Sequence, residues 1–367
     1  MKLQTKELNN CLNKIKKLVG SNSNIELCDY IELNLVGEEL YITSTDMTNY
    51  ITASMEVKEG EDNFKQVVEG QKLINLVKSI DEDIVELIDK EDYVLLKSNG
   101  KYKLDCLKQE YPDYEITPDT IVDINKSDLL TILDRHNGII AEDMAVPELT
   151  GYKISTENVI TLDGIQMAIT DINIFEDTDL EEDIELLVPD NLLQLVTLFK
   201  DFDNDNIKLH MTEDSLLFEN GNLSIFGGVL HGIEDFPELG MYFDLDFDNK
   251  ITVKRKRVAR LLDRMSLFVT EEQKYAVNII SDNRGLVLQD EDEKAKEKLT
   301  KLKVQSEGQF KCYVDINNII NFVDNLDTEK VTLMYDDGDV IKVTSDKVNT
   351  DYFSTILVED EVEGEEE

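Results

Sequence analysis

The sequence predicts an α+β protein made of three tandem copies of one domain, each with two helices on one face of a mostly antiparallel sheet. Two apolar stripes and a strand signal, recurring in the same order, carry that reading. The first stripe is Leu8, Cys11, Leu12, Ile15, Leu18, Val19; then Leu129, Ile132, Leu133, His136, Ile139, Ile140; then Val258, Leu261, Leu262, Met265, Phe268, Val269. Its offsets are 0, 3, 4, 7, 10 and 11 in every copy, the spacing of one face of an α-helix. Only His136 departs from apolar character.

The second stripe comes at offsets 0, 1, 4 and 7: Leu73, Ile74, Val77, Ile80; Leu192, Leu193, Val196, Phe199; Ile319, Ile320, Val323, Leu326. Alternating strand signals come next at Val85 and Leu87, Ile207 and Leu209, Val331 and Leu333, with the period of two that a half-buried strand imposes. A further strand runs through Val94–Leu96, Leu216–Phe218 and Val340–Val343. Turns at Ser98-Asn99-Gly100 and Glu219-Asn220-Gly221 then lead to one more strand, since Asn-Gly tolerates positive φ. The first two copies end alike, at Tyr111-Pro112-Asp113-Tyr114 and Phe236-Pro237-Glu238-Leu239. The period of about 120 to 130 residues exceeds solenoid repeats and is long enough for each copy to hold its own core. The expected domains are residues 1–120, 121–245 and 246–360, with 361–367 an acidic tail outside the fold.

Composition narrows the function. A net charge of −42 argues against a general nucleic-acid binder, which is usually basic. The 41% apolar content supports globular cores. Four cysteines without a Cys-x-x-Cys pair give neither a disulfide framework nor a zinc site, and Cys11 on the stripe reads as a small buried hydrophobe. No signal-peptide core or membrane-length apolar run is present, so a reducing cytoplasmic setting is expected.

Positive charge is scarce and clustered. Lys2, Lys6, Lys14, Lys16 and Lys17 lie around the first helix, and Lys254, Arg255, Lys256, Arg257, Arg260 and Arg264 around the fifth predicted helix. The third is weaker, with Lys126, Arg135 and His136 among Asp128, Asp134 and Glu142. Lys14, Arg135 and Arg264 occupy the same place on the stripe. These residues are either ordinary solvated helix faces or one surface that meets phosphates without reading sequence; the second reading makes Lys14, Lys17, Arg135, Lys254, Arg257, Arg260 and Arg264 DNA-facing.

Catalytic chemistry is missing. His136, His210 and His231 lack metal-ligand spacing, and His136 on a stripe reads as a satisfied histidine of the core edge. There is no Gly-rich phosphate loop and no Gly-x-Ser-x-Gly. Phe226-Gly227-Gly228 reads as a bulge or a close-packing site. No enzyme, metal or cofactor is expected.

Local segments resemble the bacterial DNA polymerase III beta subunit, the sliding-clamp family. Leu40-Tyr41-Ile42-Thr43-Ser44-Thr45-Asp46 is similar to the family's first-domain strand ending in Thr-Asp. Leu162-Asp163-Gly164-Ile165-Gln166-Met167-Ala168 is similar to its Thr-Asp-Gly-His-Arg-Leu-Ala segment. Gly228-Val229-Leu230-His231-Gly232-Ile233-Glu234-Asp235-Phe236-Pro237 resembles the end of its second domain. The resemblance spans residues 1 to about 360. It implies the DNA clamp fold, a head-to-tail homodimeric ring around double-stranded DNA, and processivity for a DNA polymerase in DNA replication. It also implies a separate clamp loader. Net negative charge then keeps DNA off the outer surface while basic helices face it.

The resemblance further implies a partner-peptide pocket at Leu162, Gly164, Ile165, Met167, Pro237, Tyr242, Tyr275, Ile356 and Val358. Here Ile165-Gln166 replaces a His-Arg pair, and Ile356-Leu357-Val358-Glu359-Asp360 replaces a Met-Pro-Met-Arg type of C-terminus. It implies a dimer interface with Lys101, Tyr102, Lys103 and Leu104 opposite Leu267, Phe268, Val269, Glu291 and Glu293, an apolar centre with a Lys–Glu rim. Two rivals predict otherwise: an acidic DNA mimic, with no ring, and a hydrolase, with metal-dependent turnover.

Overall fold

Each predicted stripe opens a helix, and the helix ends sooner than the stripe. The computed structural model describes residues 1–57, 64–143, 145–176, 184–243, 245–282, 285–290, 292, 294–300, 302–305, 310–335 and 338–357; Glu291, Glu293, Val358 and the acidic tail lie outside the described residues. The helices are α1 (Thr5–Ile15), α2 (Gly70–Lys78), α3 (Lys126–Arg135), α4 (Asp190–Leu193), α5 (Gly240–Phe243), α6 (Arg255–Met265) and α7 (Ile316–Asn325). Stripe offsets 10 and 11 fall past the helix in every copy. Leu18 and Ile139 are still buried there, but Phe268 sits on a 3-10 turn and is 47% exposed, beside Leu267 at 79%. The middle copy of the second stripe is α-helical only through α4 and continues as the 3-10 segment Gln194–Phe199, with Leu192, Leu193, Val196 and Phe199 all buried. Burial decides which side chains face the core there, and the tighter helix preserves it.

The first helix of each copy is anchored identically. The Thr5, Lys126 and Arg255 amides donate to the Asp83, Asp205 and Glu329 carbonyls. Each of those acceptors immediately precedes a strand carrying the predicted alternation: Ile84–Asp89, Asn206–Met211 and Lys330–Tyr335. The inward residues Val85, Leu87, Ile207, Leu209, Val331 and Leu333 are buried. These bonds satisfy helix N-terminal donors that would otherwise be orphaned.

All strand pairings among the described residues are antiparallel, in four sheets. The chain groups into two units. One holds Met1–Leu130, Ile174–Asp179 and Asn191–Val229; the other holds Thr131–Asn173, Leu180–Asp190 and Leu230–Glu367. In the first unit a nine-stranded sheet joins strands from two copies of the repeat, because Leu223–Gly228 pairs with Asn49–Glu56. A four-stranded sheet runs Lys2–Gln4, Ile84–Asp89, Tyr93–Lys97, Lys101–Asp105. The second unit repeats the plan: Val348–Thr355 pairs with Gln166–Asp171 inside a nine-stranded sheet. Its four-stranded sheet runs Lys296–Thr300, Gly285–Asp290, Ala276–Asp282, Phe310–Asp315. Helices pack in pairs, α1 with α2 and α6 with α7, burying the stripes between helix and sheet. No described helix is long and apolar enough to cross a membrane.

Candidate functional site

Three hairpins give the repeats their shared local chemistry. In the first, Asp46 Oδ1 accepts from the Thr48 and Asn49 amides at 2.9 and 2.7 Å. In the second, Asp163 Oδ1 accepts from the Ile165 and Gln166 amides at 2.8 and 2.6 Å. In the third, Asp290 carboxylate oxygens accept from the Lys294 and Ala295 amides. Each aspartate amide also donates across its turn, to Asn49, Gln166 and Ala295 carbonyls. This is the side-chain mimicry of a turn that aspartate favours. Burial pushes the Asp46 carboxyl up, but the bonds from Asn49 and Thr48 outweigh it and hold its pKa below the usual carboxylate range. Gly164 has φ +94°, and an added Cβ would meet nothing; the backbone conformation, not space, requires glycine there. Met47 takes the same left-handed region at the matching place, with φ 81°.

The strand after each of the first two hairpins receives the neighbouring repeat, and a pair of polar contacts fixes each joint. Asn222 Nδ2 donates to the Ser54 carbonyl at 2.6 Å, and Asn349 Nδ2 to the Asp171 carbonyl at 3.1 Å. The helix adds a basic side chain. Lys14 Nζ donates to Asn222 Oδ1 at 3.0 Å and lies 4.1 Å from the Phe202 ring centroid. Arg135 donates to Thr350 Oγ1 at 3.3 Å. Burial lowers the Lys14 pKa from its ordinary value. The residues expected to be uniformly DNA-facing therefore divide. Lys14 and Arg135 are half-buried and tie repeats together. Lys17 is exposed and donates to the Gln194 carbonyl. Lys254, Arg257, Arg260 and Arg264 are exposed on or beside α6, with Arg264 held by Glu297 through two bonds and Arg257 lying 3.4 Å from the Thr300 carbonyl.

His136 is fully buried, not at the core's edge. Its Nδ1 meets Thr161 Oγ1 at 2.9 Å and its Nε2 meets Thr170 Oγ1 at 2.8 Å. Thr170 in turn meets Thr350 Oγ1 at 2.8 Å. Burial, with Arg135 next to it, lowers the imidazole pKa to about 3, so it is a neutral structural group. Among the described residues no cluster of His, Cys, Asp or Glu could hold a metal.

The expected partner pocket is partly assembled. Leu162 and Met167 face each other in register across the second hairpin, and both join a core cluster with Phe353, Phe236 and the half-buried Tyr242. The Tyr242 and Phe353 rings contact edge-on at 5.6 Å. Ile165 at the hairpin tip is 56% exposed, and its carbonyl accepts from Thr355. Tyr275 and Ile356 instead pack against the adjacent core cluster of Val277, Ile319 and their neighbours. Pro237 lines a cleft of about 500 Å³ with Lys153, Glu185 and Phe243, bordered by Ile160 and Phe236 of the same cluster. The exposed Met241 and Phe243 of α5, at 67% and 49%, and the ring of Phe353 escape sequence reading. The signal for Met241 and Phe243 is an apolar run soon after the Phe236-Pro237 landmark; Phe353 lies on a distant strand.

Of the expected dimer residues, Tyr102, Leu267 and Phe268 offer exposed side chains. Leu104 and Val269 are buried, at 1% and 8%. Leu104 alternates onto the core face of its strand and so cannot present its side chain to a partner. The strands Lys101–Asp105 and Lys296–Thr300 are sheet edges, each pairing on one side only among the described residues. Gly227 resolves as a close-packing site: an added Cβ would lie 2.5 Å from Asn49 Oδ1 and 2.7 Å from Leu192 Cδ1.

Comparison with known proteins agrees with this arrangement. Residues 1–118 match the family model for the DNA polymerase III beta subunit, N-terminal domain. The beta sliding clamp of Mycoplasma pneumoniae is 20% identical over 354 residues, covering 90% of this chain and 91% of that protein. The beta sliding clamp of Chlamydia pneumoniae is 21% identical over 273 residues, covering 72% of this chain and 73% of that protein. In structure, the DNA polymerase III subunit beta of Pseudomonas aeruginosa superposes with a TM-score of 0.90 at 16% identity, over 98% of this chain and 99% of that one. The Bacillus subtilis DNA polymerase sliding clamp gives 0.87 at 15% identity, over 97% and 98%.

Proposed function

We propose that this chain is a member of the DNA polymerase III beta subunit family, a non-enzymatic sliding clamp whose two copies close head to tail around duplex DNA. In this reading residues 1–120, 121–245 and 246–360 act as three domains. A cytoplasmic replicative polymerase is tethered through the apolar face around Leu162, Ile165, Met167 and Tyr242, and a separate ATP-driven loader opens the ring.

The observation that carries it is the strand-joining rule. The late strands of the second repeat extend the early sheet of the first, and those of the third extend the early sheet of the second. The rule leaves two unmatched edges, Lys101–Asp105 and Lys296–Thr300. Applied between two copies, it pairs these edges and closes a ring. Topological linkage requires no tight contact, so exposed cations on α6 suffice to centre the duplex, with contacts that are sequence-independent and salt-sensitive.

The test is retention on circular DNA. Protein loaded by its cognate loader onto a nicked plasmid should remain bound through gel filtration in high salt. It should be released when the plasmid is cut once. Equal retention on circular and linear DNA would overturn topological linkage.

A further inference from the structure

The two open edges carry the same alternation. In Lys101-Tyr102-Lys103-Leu104-Asp105 the buried Leu104 faces the core while Lys101, Lys103 and Asp105 are exposed on the other face. In Lys296-Glu297-Lys298-Leu299-Thr300 the buried Leu299 faces the core, and Lys296, Lys298 and Thr300 are exposed opposite it. A one-residue slip would turn a buried leucine outward. Any pairing that keeps both leucines on the core side therefore sets both lysine pairs on one shared outward face.

The joints already made within the chain look different. The matching face of the first carries Tyr50 and Thr52 against Ser224 and Phe226, and that of the second carries Met167 and Ile169 against Asp351 and Phe353, with Tyr50, Met167, Ile169 and Phe353 buried. None is a lysine or arginine. Among the described residues, nearby acids do not cancel the rows. Asp105 is the one acid on the outward face of its strand. On the strands behind that edge, Glu86 is paired with Lys97 at 3.2 Å. Glu297 points to the core side, where Arg264 holds it.

We propose that the joint between two copies is a like-charge joint, in which Lys101 and Lys103 of one copy face Lys296 and Lys298 of the second and oppose closure. This rests on the closed two-copy ring proposed above. Like charges facing across strands destabilise a pair, and lysines on edge strands discourage indiscriminate pairing. The chain thus keeps its edges from pairing with other sheets and sets a ring that opens easily.

Measuring the dimer dissociation constant by sedimentation tests this at one moderate salt concentration. Lys101→Glu with Lys103→Glu places acids opposite Lys296 and Lys298. It should tighten the dimer by about tenfold or more, although each copy becomes more negative overall. Lys296→Glu with Lys298→Glu should do the same independently, and all four changes together should lose the gain. General repulsion between acidic copies predicts the reverse, a weaker dimer in either double variant. A native dimer that neither double variant tightens overturns the like-charge joint alone. A native chain that stays monomeric at every concentration overturns the ring itself.

Discussion

Lowering pH should loosen this protein through one buried histidine, and the structure sets the size of the effect. Arg135 donates to Thr350, whose hydroxyl meets Thr170, and the imidazole nitrogens meet Thr170 and Thr161; a neutral ring donates at one nitrogen and accepts at the other, and the threonine hydroxyls can turn to match it. The neutral imidazole completes this chain. A charged one would have to donate at both nitrogens and sit desolvated beside a guanidinium. With the folded pKa lowered to about 3 and an unfolded value of about 6.5, the unfolded chain binds the extra proton first. Stability is therefore complete above pH 6.5 and falls as pH drops toward 3. Linkage gives a loss of about 2 kcal/mol by pH 5, before most carboxylates titrate. Urea unfolding monitored by far-UV circular dichroism at pH 7, 6 and 5 would measure it against His136→Gln, whose amide does not titrate. The variant should be less stable at pH 7, and the gap should close by about 2 kcal/mol at pH 5. A gap constant over that range would refute the buried neutral histidine.

Three further outcomes are expected. Ile165→Lys should abolish polymerase stimulation in a primer-extension assay while sedimentation still shows the native dimer, because the side chain is exposed at the hairpin tip; undiminished stimulation would refute the pocket assignment. Lys254→Glu with Arg260→Glu should cut loading on DNA, leaving oligomeric state and unfolding unchanged, because both side chains are exposed; undiminished loading would mean that α6 does not face the duplex. Gly227→Val should cost roughly 1–3 kcal/mol in urea unfolding, since its Cβ would press on Asn49 and Leu192; an unchanged midpoint would refute the close packing there.

Periodicity made the helices and inward strand residues legible because burial imposes it. Leu8, Leu129 and Val258 begin matching buried faces for the same reason. Where the stripe would end was not legible. The helix stops by offset 7, and beyond it local turns decide burial, leaving Leu18 inside and Phe268 exposed. The face of Leu104 is set by strand parity, and parity was hidden until the turn before Lys101 fixed the register. The partners of Lys14 and Arg135 were out of reach for a different reason: Asn222 and Thr350 lie 208 and 215 residues away, and no local signal links them. The aspartates at 46, 163 and 290 were within reach, as the end of a strand signal in each copy, but the third turn is two residues longer and breaks the visible register.

The division among the basic residues changes how the interior of a clamp would work here. A helix cation that anchors a neighbouring strand is not available to a phosphate, so equivalent stripe positions do not contribute equally. Lys14 has a neutral amide partner and lies over an aromatic ring, and Arg135 is tied into the threonine–histidine chain. Charge reversal at either should therefore damage folding along with any DNA contact. Arg260 and Lys254 carry no such structural duty in this arrangement. The equivalent of Lys14 in the third repeat, Arg264, pairs with Glu297 on an open edge, the place where the other two joints receive a neighbour. Arg264 thus belongs to the unfinished joint as much as to α6, and reversing its charge should alter dimerisation as well as loading. A variant confined to Lys254 and Arg260 separates those two effects.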